Sequence, residues 1–158
     1  GTTFVIRVPF KIDLDADKRE ESKDVSEKSI KGMHVLLAED NELNMEIAEF
    51  LLQNEGAEVT KAWNGQEIVE LFRKSEAGEF DVILMDIMMP IINGYEAAKR
   101  IRSLDREDAK KIPIIAMTAN AFTEDRIRAK EAGMDEHVAK PIDVELLIKV
   151  IHKLVKHN

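Results

Sequence analysis

Five residues far apart in the chain carry side chains that could act together: Glu39, Asp40, Asp86, Thr118 and Lys140. Three are carboxylates, one is a hydroxyl and one an ammonium. Each closes or follows a short apolar run, and in a parallel sheet the ends of such runs open on one rim. Carboxylates gathered there repel, and each resists ionisation unless a cation joins them. Lys140 offsets part of that charge. A hard divalent ion, held by oxygen ligands and keeping several waters, would offset the rest, and Mg²⁺ suits that description best. Singly, the residues have plainer readings. Asp86 could cap a turn, Glu39-Asp40 could decorate a helix N-terminus, Thr118 could be an ordinary strand former, and Lys140 a surface lysine. Met88 and Met89 read as packing rather than sulfur ligands.

The elements that must position these residues are legible around them. Residues 82–85 (Val-Ile-Leu-Met) are apolar without alternation, as in a strand buried on both faces. Asp86 follows at once, Pro90 forbids a continuing ladder, and Asn93-Gly94 supplies turn chemistry. A first strand at 34–38 ends in Glu39-Asp40-Asn41. Its helix has Asn44, Ile47, Ala48, Leu51 and Leu52 on the inner side and Gly56 beyond its end. Residues 57–62 form a second strand, and Asn64-Gly65 opens a helix carrying Ile68, Val69, Leu71 and Phe72. The third strand, residues 80–86, is followed by a helix over 95–104. A fourth strand at 112–118 precedes a helix over about 124–132 that stops at Gly133. Residues 136–139 are a short fifth strand. Asp143 caps a last helix with an inner stripe of Val144, Leu147, Ile151, Leu154 and Val155. Five alternations of strand and helix argue an α/β, doubly wound parallel sheet.

The totals narrow the classes. The 158 residues suit one compact domain with some chain left over, and they include no cysteine, which excludes disulfides and thiolate chemistry. A net charge of −8 argues against nucleic-acid binding. No apolar run reaches the ~18 residues a membrane span needs, and no signal-peptide pattern is visible. A cytoplasmic location is compatible with this, with no membrane contact expected for the segment. Phe4, Ile6, Val8 and Phe10 alternate on one face of a lone strand, which must dock on something or be the end of another domain. Residues 13–31 are dominated by charge and read as a solvated linker.

Several short motifs, in order and at strand ends, carry a resemblance. They are Ala38-Glu39-Asp40-Asn41 with Asn44, Asp86-Ile-Met-Met-Pro90 with Asn93-Gly94, Met117-Thr118-Ala119-Asn120-Ala121, Ala132-Gly133-Met134-Asp135, and Lys140-Pro141. Residues 33–157 resemble the receiver domain of two-component response regulators over essentially their whole length. The Asn41/Asn44 pair and the Thr-Ala-Asn-Ala run particularly resemble receivers fused behind histidine kinases. Residues 1–12 resemble the last strand of a histidine kinase ATP-binding domain. The resemblance implies a C-terminal piece of a hybrid sensor histidine kinase, whose parent chain could be membrane-anchored: kinase tail at 1–12, linker at 13–31, receiver at 32–158. It implies a (βα)5 flavodoxin-like three-layer sandwich with sheet order 2-1-3-4-5.

By the same resemblance Asp86 takes a phosphoryl group from a phosphohistidine, on a histidine kinase dimerisation domain or a histidine phosphotransfer protein, and slowly loses it to water. Asp40, Asp86 and the Met88 carbonyl would ligate Mg²⁺ (with Mn²⁺ as a substitute), and Glu39 would bond directly or through water. Lys140 and Thr118 would contact phosphoryl oxygens, with backbone N–H groups near Ile87 and Ala119, and small Ala119 leaves room for the donor. A cis Lys140–Pro141 peptide would aim the lysine. One departure stands out: the family usually has Tyr or Phe three residues before the lysine, coupled to the threonine as a switch, and here that residue is His137. It could swing with Thr118 or be exposed and uncoupled. Ile92 replaces a commoner Met or Leu. Leu43 and Phe50, beside the inner stripe of the first helix, could dock the histidine-bearing helices or simply widen the core.

Three rivals share parts of this pattern. A haloacid-dehalogenase-type aspartyl-phosphate phosphatase would carry a second Asp two residues after the nucleophile, where this chain has Met88. A flavodoxin-like cofactor module would have a Ser-, Thr- and Gly-rich phosphate loop, where this chain has Glu39-Asp40-Asn41-Glu42. A docking-only pseudo-receiver would have no need of all five site residues.

Overall fold

The computed structural model describes residues 29–119 and 123–156. The alternating strand of residues 1–12 and most of the charged stretch that follows lie outside the described residues, as do Asn120 and Ala121. Apolar runs without alternation cannot leave either face in water, and the structure buries both faces of the central ones. Five strands, β1 (His34–Ala38), β2 (Glu58–Ala62), β3 (Val82–Asp86), β4 (Ile114–Thr118) and β5 (Glu136–Ala139), form one sheet in the order β2-β1-β3-β4-β5. Every pairing is parallel, with Leu36 beside Ile83, Asp86 beside Met117 and Thr118 beside Ala139. Strands β2 and β5, at the edges, are the ones with exposed residues.

Among the described residues six helices cover the two faces: α1 (Glu42–Asn54), α2 (Gly65–Lys74), α3 (Gly94–Arg102), α4 (Glu107–Lys111), α5 (Thr123–Glu131) and α6 (Val144–Lys156). Alternate residues of each strand serve opposite layers. Val35, Leu37, Leu84, Ile115 and Met117 pack with α1 and α6, whereas Leu36, Ile83, Met85, Ile114 and Ala116 pack with the other four helices. The (βα)5 three-layer sandwich in the order 2-1-3-4-5 is thus the observed architecture.

The helix starts have a common chemistry. Asn41, Asn64 and Asn93 are N-caps whose side-chain oxygens accept from the N–H groups of Asn44, Glu67 and Glu96 at 2.9, 2.7 and 2.9 Å. Each satisfies an otherwise orphaned donor, worth about 1 kcal/mol. Because all three follow parallel strands, these capped ends stand at the rim where β1, β2 and β3 finish.

Four local expectations are revised. The inner face of α1 is Met45, Ala48 and Leu52, while Asn44 and Ile47 point outward, Ile47 at 48% exposure. Ala48 and Leu52 are inward as their spacing implies, but the outward set is just as apolar, and periodicity alone drew Asn44 and Ile47 into the stripe in place of Met45. Helix α4 had no apolar periodicity to announce it. It is held instead by Arg106, whose guanidinium lies 4.5 Å over the Phe72 ring, donates to the Phe72 and Ser75 carbonyls, and pairs with Asp108 at 2.6 Å. The third strand starts at Val82 rather than residue 80. Ile30, within the stretch assigned to the linker, has no exposure and packs against the α1–α6 core. Around it, the Gly32 N–H donates to the Gly56 carbonyl at 2.9 Å and His152 Nε2 donates to the Ser29 carbonyl at 3.1 Å. Ile30→Ala is expected to cost about 2–5 kcal/mol in urea unfolding, as for a buried core side chain; a change within 0.5 kcal/mol would mean that residues 29–31 are an unanchored linker.

Candidate functional site

The rim at the carboxyl ends of the strands gathers the predicted residues. Glu39 follows β1, and its N–H continues the ladder to the Ala62 carbonyl at 3.1 Å. Asp86 is the last residue of β3 and is buried, with 4% exposure. Oxygen atoms of Glu39, Asp40 and Asp86 lie within 4.8 Å of one another. The chain therefore brings three carboxylates together where the strand order reverses between β1 and β3, the place where open α/β sheets bind ligands. Glu39 is as buried as Asp86, while Asp40 is exposed.

Lys140 reaches across from the end of β5. Its Nζ lies 2.6 Å from Glu39 Oε2 and 3.2 Å from Asp86 Oδ1. The Lys140 N–H donates to the Thr118 carbonyl at 2.8 Å, so the β4–β5 ladder sets where the lysine begins, and the Lys140–Pro141 peptide is cis. Thr118 is buried at the end of β4, one strand from Asp86. Backbone donors also face the acids. The Met88 N–H points at Asp86 Oδ1 at 3.4 Å and the Asn41 N–H donates to Glu39 Oε1 at 3.2 Å. The Ile87 N–H, expected near the acceptor, instead donates to the Met117 carbonyl at 3.2 Å. The Met88 side chain is 77% exposed and belongs to the rim.

Gly94 permits the close approach that shapes this rim. A Cβ there would stand 2.5 Å from the Asp86 carbonyl oxygen and 2.9 Å from Ile87 Cα. Without a side chain, the start of α3 presses against the end of β3, and the Gly94 N–H donates to the Ile87 carbonyl at 2.8 Å.

Electrostatics follow from the crowding. Burial raises the Asp86 carboxyl from 3.8 to about 6, the Glu39 charge adds to the rise, and Lys140 only partly opposes both. Burial works against the Lys140 ammonium too, but its hydrogen bond to Glu39 and the charge of Asp86 hold it above the ordinary lysine value. Three acids facing one ammonium leave the pocket short of positive charge. The donor set is all oxygen, it is partly open through Asp40, and its charge is what a hard divalent cation relieves, so these residues fit Mg²⁺.

The remaining predicted residues are not at the pocket. His137 lies on β5 opposite Ala116, half-buried, with Nε2 at 2.9 Å from Arg126 Nε and Nδ1 at 3.3 Å from Glu136 Oε1. Neither partner was foreseen, since nothing in the sequence spacing links residue 126 to 137. Leu43 and Phe50 are 64% and 67% exposed on α1, and Ile47 lies between them, four residues after Leu43 and three before Phe50. The reading of Leu43 and Phe50 as core width is thereby excluded.

A carboxyl whose folded pKa is raised destabilises the charged fold. That cost is complete above about pH 6 and disappears as the pH falls toward 3.8, where the unfolded group also takes a proton. Asp86→Asn is therefore expected to stabilise the metal-free protein at pH 7 by on the order of 2–3 kcal/mol. In urea titrations the gain should shrink to near zero by about pH 4. A gain independent of pH would place the cost elsewhere.

The family model for the response regulator receiver domain matches residues 35–152. Histidine kinase 1 of Arabidopsis thaliana is 34% identical over 161 residues, covering 83% of this chain. Hybrid signal transduction histidine kinase I of Dictyostelium discoideum is 40% identical over 120 residues, covering 75%. The chain spans 13% and 7% of those two proteins. Among solved structures, the receiver domain of a sensor histidine kinase from Pseudomonas aeruginosa, with a magnesium ion coordinated in its active-site cleft, has 34% identity and a TM-score of 0.71. It covers 79% of this chain and 98% of its own. The receiver domain of a Saccharomyces cerevisiae response regulator, crystallised with a histidine phosphotransfer protein, has 28% identity and a TM-score of 0.69, covering 80% and 90%. The strand-end acids, the lysine opposite them and this likeness agree: the chain belongs to the response regulator receiver domain family of two-component signalling.

Proposed function

We propose that Asp86 accepts a phosphoryl group from a phosphohistidine and later releases it slowly to water. The observation that carries this reading is the convergence of Glu39, Asp40 and Asp86 with the Lys140 ammonium, 3.2 Å from the acceptor carboxylate. A carboxylate oxygen of Asp86 forms the new O–P bond as the N–P bond to histidine breaks, and the electron pair stays on the departing nitrogen. The product is an acyl phosphate. Phosphoryl transfer asks the protein chiefly for in-line positioning and charge neutralisation. Lys140 supplies the latter by exchanging its Glu39 contact for a phosphoryl oxygen, and the Thr118 hydroxyl and the Met88 and Ala119 N–H groups supply directed donors. Asp40, Asp86 and the Met88 carbonyl would hold Mg²⁺, or Mn²⁺ in its place, with Glu39 bonding directly or through water. When bound, that ion neutralises charge on the acids and on the incoming phosphoryl group.

The donor protein is a histidine phosphotransfer protein or a kinase dimerisation domain, and the exposed stripe of Leu43, Ile47 and Phe50 beside the acidic rim gives its helices an apolar seat. The yeast relative's complex with a phosphotransfer protein supports that choice. We place residues 1–12 at the end of a histidine kinase ATP-binding domain, with the charged segment as its linker to the receiver. The setting is cytoplasmic. No helix among the described residues is long and apolar enough to cross a membrane.

Incubation with a small acyl phosphate and Mg²⁺ is expected to add one phosphoryl group, read as intact mass, in the native protein and none in Asp86→Asn. Slow loss of the label marks an acceptor. Rapid turnover would mark a phosphatase, and no labelling would mark a docking module. Phe50→Asp should leave this labelling unchanged and slow transfer from a phosphorylated phosphotransfer protein by on the order of tenfold or more, with an unaltered circular dichroism spectrum.

A further inference from the structure

Helix α5 is held to the body in an unusual way. Of its nine residues only Ala129 is buried, so apolar packing contributes little to its position. Side chains tie it down at two places. At Tyr95 on α3, the Arg128 guanidinium lies 4.6 Å over the ring and the Asp125 carboxylate accepts from the hydroxyl. On the other flank, Arg126 Nε donates to His137 Nε2 at 2.9 Å. An arginine nitrogen can only donate, so His137 Nε2 must offer its lone pair. The imidazole in this arrangement is neutral, with its proton on Nδ1, 3.3 Å from Glu136 Oε1.

We propose that the Arg126–His137 pair is a pH-sensitive latch that joins α5 to β5 while the imidazole is neutral and opens when it is protonated. A proton on Nε2 would set two N–H donors against each other and two positive charges about 3 Å apart. No rotation of the ring restores an acceptor, because both nitrogens of an imidazolium donate.

The other charges around the ring do not cancel this conflict. From α5, Lys130 lines the same cleft as Arg126, and from α6, Lys153 lies 3.5 Å from Glu136 Oε2. Asp135, before β5, is engaged with Arg102 at 2.9 Å. Glu136 is the acid beside the ring, and it can hold the charged imidazole as well as the neutral one. The β4 neighbour of His137 is the uncharged Ala116. Protonation therefore favours the His137–Glu136 contact over the His137–Arg126 bond. The cleft beside them, about 450 Å³ and lined by Arg126, Lys130, Met134 and Lys153, leaves the guanidinium room to turn outward.

The latch goes beyond the phosphoryl-acceptor reading and needs no phosphoryl donor to observe, so either can fail alone. Hydrogen exchange by mass spectrometry on the whole chain, corrected for intrinsic rates, would compare α5 at about pH 7.5 and 5.5. Protection of the α5 peptide is expected to fall by about tenfold or more at the lower pH, in step with His137 protonation followed by ¹⁵N NMR. The same spectra should show the Nδ1–H tautomer at the higher pH. H137F and R126M each remove the bond without removing buried apolar contacts, and both should show low α5 protection at either pH with no step. An identical step in H137F, undiminished α5 protection in R126M, unchanged wild-type protection, or an Nε2–H tautomer at neutral pH would overturn the proposal.

Discussion

Like charge crowded at one edge of a sheet is the constraint on which the rest of this structure depends. Glu39 and Asp86 are buried side by side, Asp40 stands with them, and Lys140 pairs with Glu39 and Asp86 alone of the three. A fold optimised only for stability would not hold Asp86 with its carboxyl lifted to about 6. Stored electrostatic cost of this kind marks a site waiting for positive charge, and it clusters where chemistry is done. The sheet can carry that cost because its interior is apolar on both faces from β1 through β4.

The rim is made by ordinary local means. Parallel strands finish at the same level, so every loop that leaves a carboxyl end contributes to one surface. Asparagine caps start α1, α2 and α3 directly from those loops. Gly94 lets α3 begin against the Asp86 carbonyl. On the opposite side of the rim, the β4–β5 ladder runs through Thr118 and hands the chain to Lys140. The acceptor and its ammonium are thus placed by backbone hydrogen bonds rather than by mobile side chains. Beside this pair, α5 is fastened chiefly by polar contacts.

The strands and the acid–lysine meeting were legible because each is written locally, whereas the sheet order came from the resemblance to receiver domains. Unbroken apolar runs announce buried strands, and the residues that follow them must lie on the rim. What was not legible depends on contacts between distant segments. Helix α4 has five residues and no stripe, and it owes its place to Arg106 stacking on Phe72. The Arg126–His137 bond joins positions whose proximity only the folded β4–α5–β5 unit creates. On α1 two apolar stripes lie side by side, and sequence spacing cannot say which turns inward; Met45 does, and Leu43, Ile47 and Phe50 do not. Ile30 was lost in a charged neighbourhood that spoke for solvent, although one isoleucine with a place in the core is enough to anchor the segment.

The most direct measurement is a ¹³C NMR titration of the Asp86 carboxyl, with and without Mg²⁺. Without metal the resonance should titrate near pH 6, well above an ordinary aspartate, and saturating Mg²⁺ should move the step to lower pH. A carboxyl that titrates in the usual aspartate range under both conditions would contradict the account, because the acids would then not be competing for charge at a shared site.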